Sequence, residues 1–177
     1  RGGRKSGAAI RPKETPVPNS IPRASARFAS ALLAIAMLAP VAALAGQCAE
    51  KDRLTVARQI EEAPDVGVER EIVGTVDLTG WREMGQFMLR MRVLKVAKGG
   101  VVPTHWHNDR PSIVHVVSGE IIEHSSFCAM PIVHEAGDTS PEFGDFHGHW
   151  WENKTDQEVV LISTDVVPFE MRDDKHM

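Results

Sequence analysis

Residues 86–96 alternate: Phe87, Leu89, Met91 and Val93 interleave with Gln86, Arg90 and Arg92, the two-residue period of a half-buried strand. Residues 112–117, 120–124 and 158–167 are further short runs of β-formers, and from Glu71 onward the chain reads as strand after strand. Turn-forming groups punctuate them: Lys98-Gly99-Gly100, Ser118-Gly119, Ala136-Gly137-Asp138 and Asn153-Lys154-Thr155-Asp156. Only residues 51–62 invite a helix, because Leu54, Ala57 and Ile60 fall at helical spacing. The pattern predicts an all-β sandwich or barrel over residues 71–168, an N-terminal arm over 46–70 with a short helix, and a tail over 169–177.

The segment ahead of the arm has a different character. Residues 1–27 are rich in Arg, Lys, Pro, Ser and Ala, and residues 28–45 are almost wholly apolar. That order matches a secretory signal peptide over 23–45: Arg23 and Arg27 form its basic region, residues 29–38 its apolar region, and Ala43-Leu44-Ala45 a small-x-small cleavage site before Gly46. Residues 1–22 are then an extension without structure, and the mature chain is expected in the periplasm or outside the cell. An N-terminal membrane anchor is the alternative, since about 18 apolar residues are the shortest span; Pro40 and the Ala-rich composition favour cleavage.

Cleavage changes the charge. Residues 1–45 hold seven of the 20 Lys/Arg and one of the 24 Asp/Glu, so the remainder carries a formal charge of −10. An acidic domain with no basic run does not suit nucleic acid. Phosphate-cradling glycine loops, heptads and nucleophile-elbow motifs are likewise missing. The two cysteines, Cys48 and Cys128, are an even count in an exported chain and favour a disulfide, with Cys128 as a soft metal ligand the rival reading.

His105-Trp106-His107 and the distant His149-Trp150-Trp151-Glu152-Asn153 carry the chemistry. Two histidines one residue apart on a strand point to the same face, and a third from another strand completes one side of a metal's coordination sphere. These residues resemble the cupin superfamily, whose small barrels carry two motifs. The first runs glycine, five residues, His-x-His, three or four residues, Glu, six residues, glycine; Gly99, His105, His107 and Gly119 fall into that register. The second ends in a histidine followed four positions later by asparagine, as His149 and Asn153 do; Gly137-Asp138 opens it, with Pro141 and Gly144 outside the usual spacing. The resemblance covers about residues 85–168 and implies a double-stranded β-helix (jelly-roll) barrel.

Ser112 occupies the position of the family's glutamate ligand, so the resemblance implies a three-histidine centre of His105, His107 and His149. His147 shares strand parity with His149 and is an alternative ligand. Asp109 and Glu142 lie on loops near the motifs, where either substitutes for the missing glutamate or is a solvated charge. His115, His124, His134 and His176 are expected to be structural or solvated, and Trp106, Trp150 and Trp151 to pack the barrel.

Three neutral imidazoles leave a divalent ion with open positions and uncompensated charge, which favours small anionic or enolic oxygen ligands. With iron, copper or nickel such a centre suits dioxygenase-like oxidoreductase chemistry; with zinc or manganese, isomerase or lyase chemistry. A non-catalytic cupin that senses or stores a metal or small ligand is the competing class, because no free general base stands beside the histidines. The expected cofactor is one divalent transition metal ion, and the expected partners are a small ligand and, as an option, a second copy of the chain in a homodimer.

Overall fold

A computed structural model of the protein describes residues 46–174. The extension over 1–22, the signal sequence expected over 23–45 and His176 lie outside the described residues. The strand formers give eight strands: β1 (Val66–Asp77), β2 (Phe87–Trp106), β3 (Ser112–Ser118), β4 (Glu120–Ser125), β5 (Ile132–Glu135), β6 (Thr139–Glu142), β7 (Gly148–Glu152) and β8 (Val159–Pro168). They pair antiparallel in the order β5-β4-β7-β2-β8-β3-β6, with β1 also on β2, and roll into a nearly closed barrel. β2 joins the two halves. Up to Val96 it pairs with β8, and from Val101 it pairs with β7.

Alternation along these strands sends Leu94, Val96, Val102, Val114, Val116, Ile121, Trp151, Val159 and Leu161 into one apolar core. Each such side chain stabilises the fold by about 1.5–3 kcal/mol on burial. Between β3 and β4 the turn depends on Gly119: its φ is +86°, and a Cβ there would lie 2.9 Å from Val159 Cγ2.

Two expectations are corrected. The buried face of β2 is not that of Phe87, Leu89, Met91 and Val93 but the opposite one, where Met88, Arg90, Arg92, Leu94 and Val96 are buried while Met91 is exposed. Asp165 on β8 makes this tolerable, since its oxygens accept from Arg90 at 2.8 and 3.0 Å and from Arg92 at 3.0 Å inside the barrel. Residues 51–62 form no α-helix; a single 3-10 turn, Glu50–Asp52, is all the helical structure there. Their backbone is pinned to the barrel instead: Leu54 N–H donates to Phe127 O at 2.9 Å, Arg58 N–H to Ser126 O at 2.9 Å, and Ala63 N–H to Thr104 Oγ1 at 2.8 Å. Tertiary hydrogen bonds thus override a weak helical spacing.

Cys48 and Cys128 form a disulfide across a separation of 80 residues, tying the arm to the β4–β5 connection. Oxidised, Cys128 is not a metal ligand. The first strand begins at Val66 rather than near residue 71, and the barrel closes with Pro168. No helix among the described residues is long and apolar enough to cross a membrane.

Candidate metal centre

A bulge in β2 makes the site. Val102 pairs with Trp151 and His105 with His149, so β2 advances three residues while β7 advances two. The extra residue falls at Pro103-Thr104, a place where proline's missing N–H is harmless. It reverses the strand's parity, so that His105 and His107 join Val102 on the inner face instead of pointing away from it. His105 and His149 are then direct cross-strand neighbours, and His105, His107 and His149 converge as one group able to hold an ion.

The rings converge through particular atoms. His149 Nε2 lies 3.0 Å from His105 Nε2 and 3.1 Å from His107 Nε2. Each Nδ1 is spoken for: His105 donates to Pro103 O at 2.8 Å, His107 to Arg110 O at 2.9 Å, and His149 to Glu123 Oε1 at 2.8 Å. Trp151 Nε1 also comes within 3.2 Å of His149 Nδ1, but the carboxylate is the stronger acceptor and takes the ring proton. With the proton on Nδ1, each neutral ring turns an Nε2 lone pair toward the other two. Lone pairs that face one another repel, and a cation between them removes the repulsion. Two ligands about 2.1 Å from one ion and at right angles to each other lie about 3.0 Å apart, which is the spacing observed.

A carboxylate lies beside two of the rings. Glu142 Oε2 is 3.3 Å from His107 Nε2, and Oε1 is 3.8 Å from His149 Nε2. Ser112 donates to Glu142 Oε2 at 2.6 Å, while Oε1 is buried with no hydrogen-bond partner. Glu142 is thus the residue that stands where the spacing along β3 had pointed to Ser112, and Ser112 holds it. The register explains the substitution, because Ser112 and Glu142 are partners across the β3–β6 ladder. The orphaned Oε1 lies 3.8 Å from His149 Nε2, a buried acceptor at the edge of the histidine group.

Electrostatics agree. Burial, with His149 next in weight, holds His105 well below the ordinary histidine value, and burial with the charges of His149 and Arg110 pulls His107 down to about 3. Burial raises Glu142 above the usual carboxylate range. Burial acts to lower His149 too, but Glu142 and Glu123 outweigh it and its pKa is raised. His105 and His107 are thus kept neutral, with lone pairs available, while His149 between two carboxylates is the ring that most readily carries a proton.

No family model and no curated protein matches the chain. Solved structures do. They include a double-stranded β-helix protein from Klebsiella pneumoniae subsp. pneumoniae (20% identity, TM-score 0.45, covering 57% of this chain and 76% of that one). KdgF from Halomonas sp. is 19% identical, with TM-score 0.46 over 59% of this chain and 84% of its own. A cupin-superfamily sugar phosphate isomerase from Silicibacter pomeroyi is also 19% identical, with TM-score 0.42 over 56% and 71%. These neighbours include double-stranded β-helix and cupin proteins. At these similarities the likeness adds nothing about activity to what the barrel itself displays.

Around the centre of this barrel stand residues that spacing did not single out. Glu123 on β4 bridges His149 and His134, accepting from His134 Nε2 at 2.8 Å. Burial acts to raise Glu123, yet the hydrogen bonds of His134 and His149 outweigh it and keep it ionised, below the usual range. One signal was available: Ile121, Glu123 and Ser125 share strand parity, so a charge sat at a core position. Arg110, which supplies the carbonyl for His107, is buried as well. His147 leaves its Nε2 buried without a partner and groups with Glu123 and His149 rather than with the three converging nitrogens. Asp109 is exposed on its loop. His115 faces away from the centre and meets Thr139 Oγ1 at 3.1 Å, and His124 stacks on Trp150 at 3.8 Å while pairing with Glu152 at 2.8 Å. Trp151 lines the core against His134, and Asn153 ties the β7–β8 turn by donating to Val96 O, Ala97 O and Gln157 O.

Proposed function

We propose that this is an exported protein with a mononuclear divalent metal centre, held by His105, His107, His149 and Glu142, that takes a small oxygen-chelating ligand. One observation carries the reading: His149 Nε2 lies 3.0 and 3.1 Å from the Nε2 atoms of His105 and His107 while every Nδ1 proton is committed elsewhere. Right-angled spacing favours a six-coordinate ion such as iron, manganese or nickel over a tetrahedral one, and four protein ligands then leave two adjacent positions for chelation. Such an ion supplies Lewis acidity toward bound oxygens and, if redox-active, a route to dioxygen chemistry of the dioxygenase type. The protein's own part is to hold the rings in one tautomer through Pro103, Arg110 and Glu123, to orient Glu142 through Ser112, and to exclude water with Val102, Val114 and Trp151. Export rests on the signal-like segment and is supported by the Cys48–Cys128 disulfide.

A binding or sensing role without turnover is the second reading. Glu123 and Glu142 are both engaged with the histidines, so neither is a free general base. The deciding experiment is metal analysis of protein purified from its native compartment, followed by dioxygen uptake and product analysis over enolic, phenolic and hydroxy-acid ligands. Stoichiometric metal with ligand-dependent turnover supports an enzyme. Stoichiometric metal with ligand binding alone supports the sensor, and protein that takes up no divalent ion overturns both.

A further inference from the structure

Arg110 has a side chain only 6% exposed, yet its Nε and Nη2 have no hydrogen-bond partner. Its nearest acid is Asp165, 3.5 Å from Nη1, too far for a hydrogen bond. Asp165 is already engaged by Arg90 and Arg92. Nε and Nη2 form one edge of the guanidinium, the two parallel N–H bonds that grip a carboxylate by both oxygens. The side chain lines the cavity that also exposes His105, His107 and Glu142. Two buried, unsatisfied donors on one charged fork are rare in a settled core and call for an absent acceptor.

We propose that Arg110 is the carboxylate-recognition residue of this pocket, so that the oxygen-chelating ligand is a small organic acid. The inference rests on the reading of the pocket as a ligand site and names its ligand class. The cavity is small, about 30 Å3, and beside its apolar residues it is lined by Arg70, Arg92 and Ser163, so an anion entering it meets further positive charge. The two-donor edge of Arg110 matches the two oxygens of a carboxylate, and the small volume favours a short acid.

The test uses full-length protein, metal-free and manganese-loaded, with the fluorescence of Trp151 in the cavity wall as readout and glycolate, glycolamide and inorganic phosphate as probes. Glycolate should bind wild type at least about tenfold more tightly than glycolamide, and in the metal-free protein Arg110→Gln should weaken glycolate at least about tenfold while glycolamide binding stays unchanged. Arg110→Lys, which keeps the charge and loses the fork, should fall between them. Equal glycolate affinity in wild type and Arg110→Gln overturns the proposal, as does phosphate binding as tightly as glycolate. Should Arg110→Gln fail to fold, full glycolate affinity in Arg110→Lys is the overturning result. The two readings fail separately: Arg110-dependent glycolate binding in a chain that takes no metal leaves the subsite standing and removes the metal centre. Manganese binding without Arg110-dependent glycolate binding does the reverse.

Discussion

At His149 one ring answers to two carboxylates, Glu123 through Nδ1 at 2.8 Å and Glu142 near Nε2 at 3.8 Å, so substitutions there separate ligation from positioning. Removing a ligating ring by His105→Ala, His107→Ala or His149→Ala should bring bound metal well below one per chain, measured by elemental analysis. His115→Ala, on the outer face, should leave it at the wild-type level. Glu123→Gln keeps the shape but loses the ionised acceptor, and its metal affinity should drop about 10–100-fold in a chelator competition. An unchanged affinity would mean that the His149 tautomer is set by something else. The shared face of His105 and His107 was legible from their spacing, because a strand's two-residue period is written in the chain, and the resemblance singled out His149, which the structure brings beside them. The carboxylate was only half legible. Glu142 was one of two loop carboxylates named as candidates, and it reaches the centre through its register with Ser112, a cross-strand fact that spacing along one strand does not encode.

Among the elements, β2 shows where periodic reading fails. Its apolar parity was misjudged at the start because Arg90 and Arg92 find Asp165 across the β2–β8 ladder, and a buried charge network looks like a solvent face when its partner lies about 75 residues away. At the other end of β2, the His105–His149 rung sits beside the Trp106–Gly148 pair. A Cβ on Gly148 would fall 2.5 Å from the Trp106 ring, so Gly148→Ala must push the indole aside. The expected result is a loss of about 1–3 kcal/mol in denaturant unfolding, together with a change in Trp106 fluorescence. The arm carries its own prediction: with Cys48→Ser and Cys128→Ser combined, stability should fall by about 4 kcal/mol in the chain-entropy view, read from the shift of the urea midpoint. A shift below one kcal/mol, on the order of a surface substitution, would show that the hydrogen bonds of Leu54, Arg58 and Ala63 hold the arm without it.

For the molecule as a whole, pH sets opposing demands on the centre. His105 and His107 have depressed values, and in the unfolded chain they return to about 6.5. Between about pH 6.5 and the folded value of about 3 for His107, the unfolded state binds more protons, so stability falls as pH falls through that window. Glu123, depressed as well, adds to the loss at lower pH. His149, raised, contributes in the other direction: its stabilisation is present below about 6.5 and is lost as pH rises through its folded value. Glu142, raised as well, acts in the same direction as His149; below about pH 4.5 neither changes further while His107 and Glu123 still do, so the metal-free thermal midpoint should drop between about pH 4.5 and 3. Metal uptake near neutral pH should release about one proton per ion, seen as a buffer-dependent heat in calorimetry. The placement of the His105–His149 rung has a consequence for how the chain finds its fold. A slip of one residue between β2 and β7 would turn the facing rings to opposite sides and scatter the ligands. An ion held there would proofread strand alignment: it would reward only the correctly aligned sheet, by about 2.7 kcal/mol when present at a hundred times its dissociation constant. Refolding from urea should give a higher yield of native protein with the ion present from the start than with the ion added after refolding, since a late addition comes when misaligned chains have already aggregated.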